Sequence, residues 1–164
     1  MATNGTIIQY KFVNNGFSNL LYNGPSNDSP YPGLPVLICY DGGFNGYKLN
    51  ITPHSSNNQI NVQFKVKYAI SDVTSTAVTI GVVYTNNGGI SYGIVGKDTF
   101  TGSVNAGGPI YDVYMFNYMH SPNTTNNVEY RMFFQIQTVS EIQLGLIGDA
   151  TSSNCIILDE FTLK

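Results

Sequence analysis

From Gln59 to Ile70 apolar and polar positions alternate one for one. Ile60, Val62, Phe64, Val66, Tyr68 and Ile70 share one parity; Asn61, Gln63, Lys65, Lys67 and Ala69 share the other. Successive side chains of a β-strand point to opposite faces, so this period of two predicts a long strand with one face on a core and one in water. The pattern returns over residues 128–138, where Val128, Tyr130, Met132, Phe134 and Ile136 share a face. Further strands are predicted over residues 6–13, 17–22, 34–40, 46–51, 76–85, 89–96, 98–104, 109–119, 141–148 and 154–163. Between them lie Asn14-Asn15-Gly16, Asp41-Gly42-Gly43, Asn86-Asn87-Gly88-Gly89, Ala106-Gly107-Gly108-Pro109 and Ser121-Pro122-Asn123. Gly and Asn supply the positive φ that tight hairpins need. No segment has a helical period. Many short strands at near-regular spacing predict an all-β fold, an antiparallel β-sandwich of jelly-roll type, with residues 1–164 as one domain.

Two strands depart from simple alternation. Along Ile110–Met119, Ile110, Tyr114, Phe116 and Tyr118 form one apolar face, while Tyr111, Val113, Met115 and Met119 form another. The closing strand has Cys155, Ile157, Phe161 and Leu163 on one side and Ile156 and Leu158 on the other. A sandwich strand has one core face, so a strand apolar on both needs a second cover. That cover is either another subunit or the extra strands near the N-terminus. The first reading predicts an oligomer interface at Tyr111, Val113, Tyr114, Met115, Phe116, Tyr118, Ile156, Leu158 and Phe161. Tyrosine suits such a place because its large ring carries a polar tip.

Composition narrows the function. Charged residues are 10% of the chain, against roughly 25% in ordinary soluble domains. Asparagine (19 residues) and Ser plus Thr (27) take their place. A surface solvated by amides and hydroxyls has little electrostatic repulsion, which suits a protein that assembles. The net charge is −3 and its seven cations are scattered, so there is no basic patch for nucleic acid. The N-terminus carries no signal-peptide pattern and no apolar run reaches the ~20 residues of a membrane span. Cys39 and Cys155 sit in apolar strands and are expected as buried free thiols rather than a disulfide.

Catalytic chemistry is hard to find. His54 and His120 are expected as exposed loop residues, too few for a metal cage. Glu129, Glu141, Asp159 and Glu160 are expected on solvated surface, with Arg131 two residues from Glu129 as its ion-pair partner. No nucleophile elbow occurs, and no cofactor or metal is expected. The chain is therefore read as a non-enzyme. Trp, the usual platform for sugars, is absent. Tyr and Asn can stand in for it, which leaves an alternative reading: a carbohydrate-binding module or lectin with a groove at Tyr31, Tyr40, Asp41, Asn45 and Tyr47.

The Asn/Tyr/Ile-rich, charge-poor texture and the ending SSNCIILDEFTLK carry a resemblance. The chain resembles the single jelly-roll proteins of large DNA viruses and virophages and the tumour-necrosis-factor-like heads of viral fibres. That resemblance implies a homotrimer whose closing strand lines the subunit contact. It also implies a minor capsid or virion surface protein made in the host cytoplasm, mediating assembly or attachment. Its partners would be its own copies, capsid proteins and host surface glycans.

Overall fold

The computed structural model describes residues 5–15, 20–23, 48–71, 76–102, 110–136, 141–144 and 154–162. Within them the chain forms ten strands and no helix. They are β1 (Thr6–Asn15), β2 (Leu20–Asn23), β3 (Lys48–Ile51), β4 (Gln59–Ser71), β5 (Thr76–Thr85), β6 (Gly93–Gly102), β7 (Ile110–His120), β8 (Val128–Ile136), β9 (Glu141–Leu144) and β10 (Asn154–Thr162). One sheet has the order β1-β10-β4-β9-β2 with β7 also paired to β4; the other is β3-β8-β5-β6. Every pairing is antiparallel. The all-β sandwich expected from the alternation is present. The strand expected over residues 34–40 lies outside the described residues.

The first sheet is organised by β4, whose 13 residues extend about 43 Å at 3.3 Å per residue. Along one edge, β10 pairs with Gln59–Lys65 and β9 pairs with Tyr68–Ser71, end to end. Along the other edge β7 pairs over the whole run from Ile60 to Ile70. Outside β10 and β9 lie β1 and β2 respectively, so this sheet is four strands wide.

Alternation places the core. Ile60, Val62, Phe64, Tyr114, Phe116, Ile156 and Leu158 from the first sheet meet Ile51, Ile80, Val82, Val128, Tyr130 and Met132 from the second. Phe64 lies opposite Phe116 in the ladder, edge to face at 6.4 Å between ring centroids. Tyr118 stacks on Phe116 at 4.2 Å. Of the strands expected over residues 89–96 and 98–104, only one is found, β6. Its break is replaced by a bulge: Val82 faces Gly96 and Val83 faces Ile94, so Val95 is the extra residue. Gly96 fits there because a Cβ would lie 2.6 Å from the Tyr118 ring. The real turn comes earlier. Gly88 and Gly89 have φ of 71° and 90°, and Asn87 Oδ1 accepts from the Thr85 hydroxyl and the Ser91 amide.

Candidate functional site

The register that builds the core also fixes what the other face of the β4 sheet displays. Directly opposed residues share a face, so three rows cross it from β1 to β7. The first is Tyr10, Asp159, Asn61 and Met119; the second is Phe12, Ile157, Gln63 and Asn117; the third is Cys155, Lys65 and Met115. Tyr10 and Phe12 stack in parallel with ring centroids 6.3 Å apart. Among the described residues nine large apolar side chains are exposed, and six of them lie on this face: Ile7, Tyr10, Phe12, Val113, Met115 and Met119. Met115 is 73% exposed and Val113 38%. A concentration of this kind on one side marks an interaction surface.

The residues expected at an oligomer interface divide between the two faces. Val113 and Met115 stand on the exposed face, and Phe161, partly buried, lies on the same face at the far end of the sheet, opposite Gln59. Tyr114, Phe116, Ile156 and Leu158 point inward and are core. Tyr118, partly buried, packs against that core. Tyr111 belongs to β7, and its side chain lies outside the described residues. Thus one apolar face of β7 is covered by the opposite sheet of the same chain. The Tyr114 hydroxyl crosses to that sheet and donates to Asp98 Oδ2 at 2.5 Å. Burial and this carboxylate hold the phenol above its ordinary range. Tyr31, Tyr40, Asp41, Asn45 and Tyr47 all lie outside the described residues, as does Cys39. Cys155 is a free thiol, but it is only partly buried and sits on the outer face rather than in the core.

Three acidic residues expected on solvated surface are not free in water. Glu160 is fully buried and Asp159 nearly so. Glu160 shares its parity with Ile156 and Leu158, so its carboxylate enters the end of the sandwich. There it accepts from the His54 amide (2.7 Å), His54 Nδ1 (2.8 Å) and Asn58 Nδ2 (2.7 Å). With its amide turned to donate, Gln9 Nε2 adds Glu160 Oε2 at 3.3 Å and Thr52 O at 3.1 Å. A carboxylate only accepts, so His54 carries its hydrogen on Nδ1. Burial pushes the Glu160 carboxyl up, but the hydrogen bonds from His54 and Asn58 outweigh it and hold it below the ordinary range. Asp159 accepts from Gln63 Nε2 at 3.2 Å. On the other sheet Glu129 pairs with Arg131, as the spacing suggested, and lies 3.9 Å from Lys48 Nζ. Arg131 also lies over the Tyr92 ring at 5.7 Å. With Thr85, Gly88 and Asn127 this pair lines a shallow pocket of about 120 Å³.

His120 also departs from the exposed-loop expectation. It ends β7 opposite Ile60, which lies opposite Glu160, so both ionisable groups sit in one inward row. Its ring lies tilted against Tyr84 with centroids 4.2 Å apart, and its Nδ1 is 2.8 Å from the Tyr130 hydroxyl. Burial pushes its pKa down to about 4. The unfolded chain, with an ordinary imidazole near 6.5, therefore binds a proton that the folded one refuses. Stability is full above about pH 6.5 and falls as pH drops towards 4; the lowered Glu160 carboxyl adds a further loss in still stronger acid. The expected loss from His120 is roughly 2 kcal/mol by pH 4.5, less than the full shift because part of the ring stays in water. Denaturant unfolding at pH 7.5 and 4.5 measures it, and His120→Phe should remove most of the difference. An unchanged difference in that variant would assign the acid sensitivity elsewhere.

Among the described residues no three His, Cys, Asp or Glu side chains are grouped to hold a metal ion, and none forms a helix long and apolar enough to cross a membrane. No protein-family model and no curated protein matches the chain by sequence. Solved structures do match its shape. The structure of Eiger TNF from S. frugiperda superposes with a TM-score of 0.54 at 8% identity, covering 94% of this chain and 92% of that one. The enzymatically active domain of tailspike protein 4 from bacteriophage CBA120 matches with a TM-score of 0.29 at 15% identity, covering 85% of this chain and 19% of that one. The first of these shows the fold: a β-sandwich of the TNF-like jelly-roll kind.

Proposed function

We propose that the chain is a non-enzymatic jelly-roll head that assembles as a homotrimer at a virion surface, where it serves assembly or attachment. The observation that carries this reading is the outer face of the β4 sheet, where six of the nine large apolar side chains exposed among the described residues gather. Burying them in a subunit contact removes apolar area from water at about 25 cal/mol per Å². The TNF-like fold supports the arrangement, since it presents that face as one broad sheet. The Asn-rich, charge-poor composition supports a protein that works in an assembled shell. Capsid proteins and host surface glycans are its proposed partners.

Light scattering after size exclusion tests the assembly. A trimer has three times 17.9 kDa, about 54 kDa. A mass of 17.9 kDa at micromolar concentration would overturn the reading, because so much apolar surface would then be left to water.

A further inference from the structure

On the second sheet, Asn50, Glu129 and Thr85 form one row across β3, β8 and β5, and Lys48, Arg131 and Val83 form the next. Their parity is opposite to that of Ile51, Val128 and Tyr130, so both rows face away from the core. Where these rows meet the turn after β5, Thr85, Gly88, Asn127, Glu129 and Arg131 line the shallow pocket. Its walls are tied in place. Gly88 and Gly89 take positive φ, the Gly89 amide donates to Thr85 Oγ1 at 3.1 Å, and Asn87 Nδ2 donates to Ser91 Oγ at 2.8 Å. The Arg131 guanidinium lies over the Tyr92 ring while its Nε donates to Glu129 Oε1.

One group lining this pocket is short of a donor. The Glu129 side chain is only 16% exposed. Its Oε1 accepts from Arg131, but Oε2 has Lys48 Nζ at 3.9 Å, beyond hydrogen-bond reach, and accepts no hydrogen bond among the described residues. A carboxylate oxygen so far withdrawn from water needs a donor. We infer that the pocket takes the hydroxyl-bearing edge of one neutral sugar ring, as the glycan contact of the attachment role proposed above. The inference rests on that role. One ring hydroxyl donates to Glu129 Oε2, and its neighbour accepts from Lys48 Nζ or Asn127 Nδ2. A ligand carboxylate has no hydrogen to give Oε2, and a ligand ammonium would crowd Lys48 and Arg131; a hydroxyl both donates and accepts. The volume, about 120 Å³, is the room of about four waters at roughly 30 Å³ each, which suits one ring edge rather than a chain of sugars. The fixed turn and guanidinium keep the cost of ordering low. The pocket lies on the sheet opposite that of Met115, so it binds whether or not copies assemble.

The test titrates the full chain with glucose, galactose, mannose and N-acetylglucosamine up to about 50 mM, read by saturation-transfer NMR. Glucuronate and protonated glucosamine serve as charged controls, and light scattering gives the mass of the same sample. At least one neutral sugar is expected to bind with a roughly millimolar dissociation constant, and the charged controls at least about tenfold more weakly. Glu129→Gln still accepts from Arg131 but offers the sugar no second acceptor, and should weaken binding at least about tenfold. Asn127→Ala changes an exposed residue outside the ion pair; it should weaken binding about threefold or more and leave the melting temperature unchanged. No signal from any neutral sugar overturns the site, and a trimeric mass in that sample leaves the assembly standing. Binding that survives both substitutions also overturns it, because the sugar then sits elsewhere. Charged sugars that bind as tightly as neutral ones overturn the chemistry argued for Oε2. A monomer that binds a neutral sugar and loses affinity on Asn127→Ala supports the pocket while overturning the trimer.

Discussion

Glu160→Ala is expected to destabilise the protein by about 3–5 kcal/mol, the usual loss when one partner of a buried charged network is removed. The carboxylate has no contact with water, and its hydrogen bonds tie the segment between β3 and β4 to the closing strand. Its removal leaves the His54 amide and the Asn58 side-chain amide as donors facing a hole, each costing about 1–3 kcal/mol when unsatisfied. Glu160→Gln should cost much less, about 1 kcal/mol. Its carbonyl oxygen still accepts from the His54 amide and Asn58, and its NH2 can donate to His54 Nδ1 once the ring shifts its hydrogen to Nε2. For a chain of this length the alanine variant should melt roughly 10 °C lower at equal protein concentration. Urea unfolding of the two variants measures the difference. If they lose the same amount, charge rather than hydrogen-bond satisfaction holds this end of the sandwich. If alanine costs under 1 kcal/mol, the segment is held by something else.

What the sequence makes legible follows from which signals are local. In β4 and β8 the alternation sets Ile60, Val62, Phe64, Val128, Tyr130 and Met132 on one parity, and all six are core. Strand-scale patterning needs no knowledge of the rest of the chain. For β7 both parities are apolar, so local pattern cannot say which one meets the core. The answer lies in the pairing of Phe64 with Phe116, a long-range register. The polar parity of β4 reads locally as a face in water, yet its ladder neighbours include Met115, Met119, Cys155, Ile157 and Phe161 beside Asn117 and Asp159. Only the assembled sheet reveals that Lys65 stands inside an apolar surface. Glu160 is a harder case. Its parity with Ile156 and Leu158 points inward, but burying a carboxylate is tolerable only with donors present, and these come from residues 106 and 102 positions away. His120 shares that difficulty, because its cover, Tyr84 and Tyr130, comes from the opposite sheet. Gly96 looks like a strand break by composition and is instead the space that the Tyr118 ring fills.

Two neighbouring residues of β7 should fail in different ways when each is replaced by aspartate. Tyr114→Asp removes a buried ring and sets a second carboxylate near Asp98, whose oxygen the phenol now satisfies. The loss combines a cavity with a buried charge, so about 4 kcal/mol or more is expected, enough to unfold much of the chain. Met115→Asp alters a side chain that is 73% exposed, and the isolated subunit should keep its stability within about 1 kcal/mol. In the proposed trimer, however, that aspartate enters a subunit contact, where an unpaired charge should weaken association by at least about tenfold. Circular dichroism on melting and light scattering across a dilution series separate the two effects. A folded Met115→Asp monomer beside a wild-type trimer places the contact on the outer face. A Met115→Asp variant that stays trimeric at nanomolar concentration would remove that face from the assembly. A Tyr114→Asp variant that folds normally would show that the inner apolar face of β7 is not what holds the two sheets together. One strand thus carries two apolar faces, the first spent inside the chain and the second, in the proposed trimer, left for its copies.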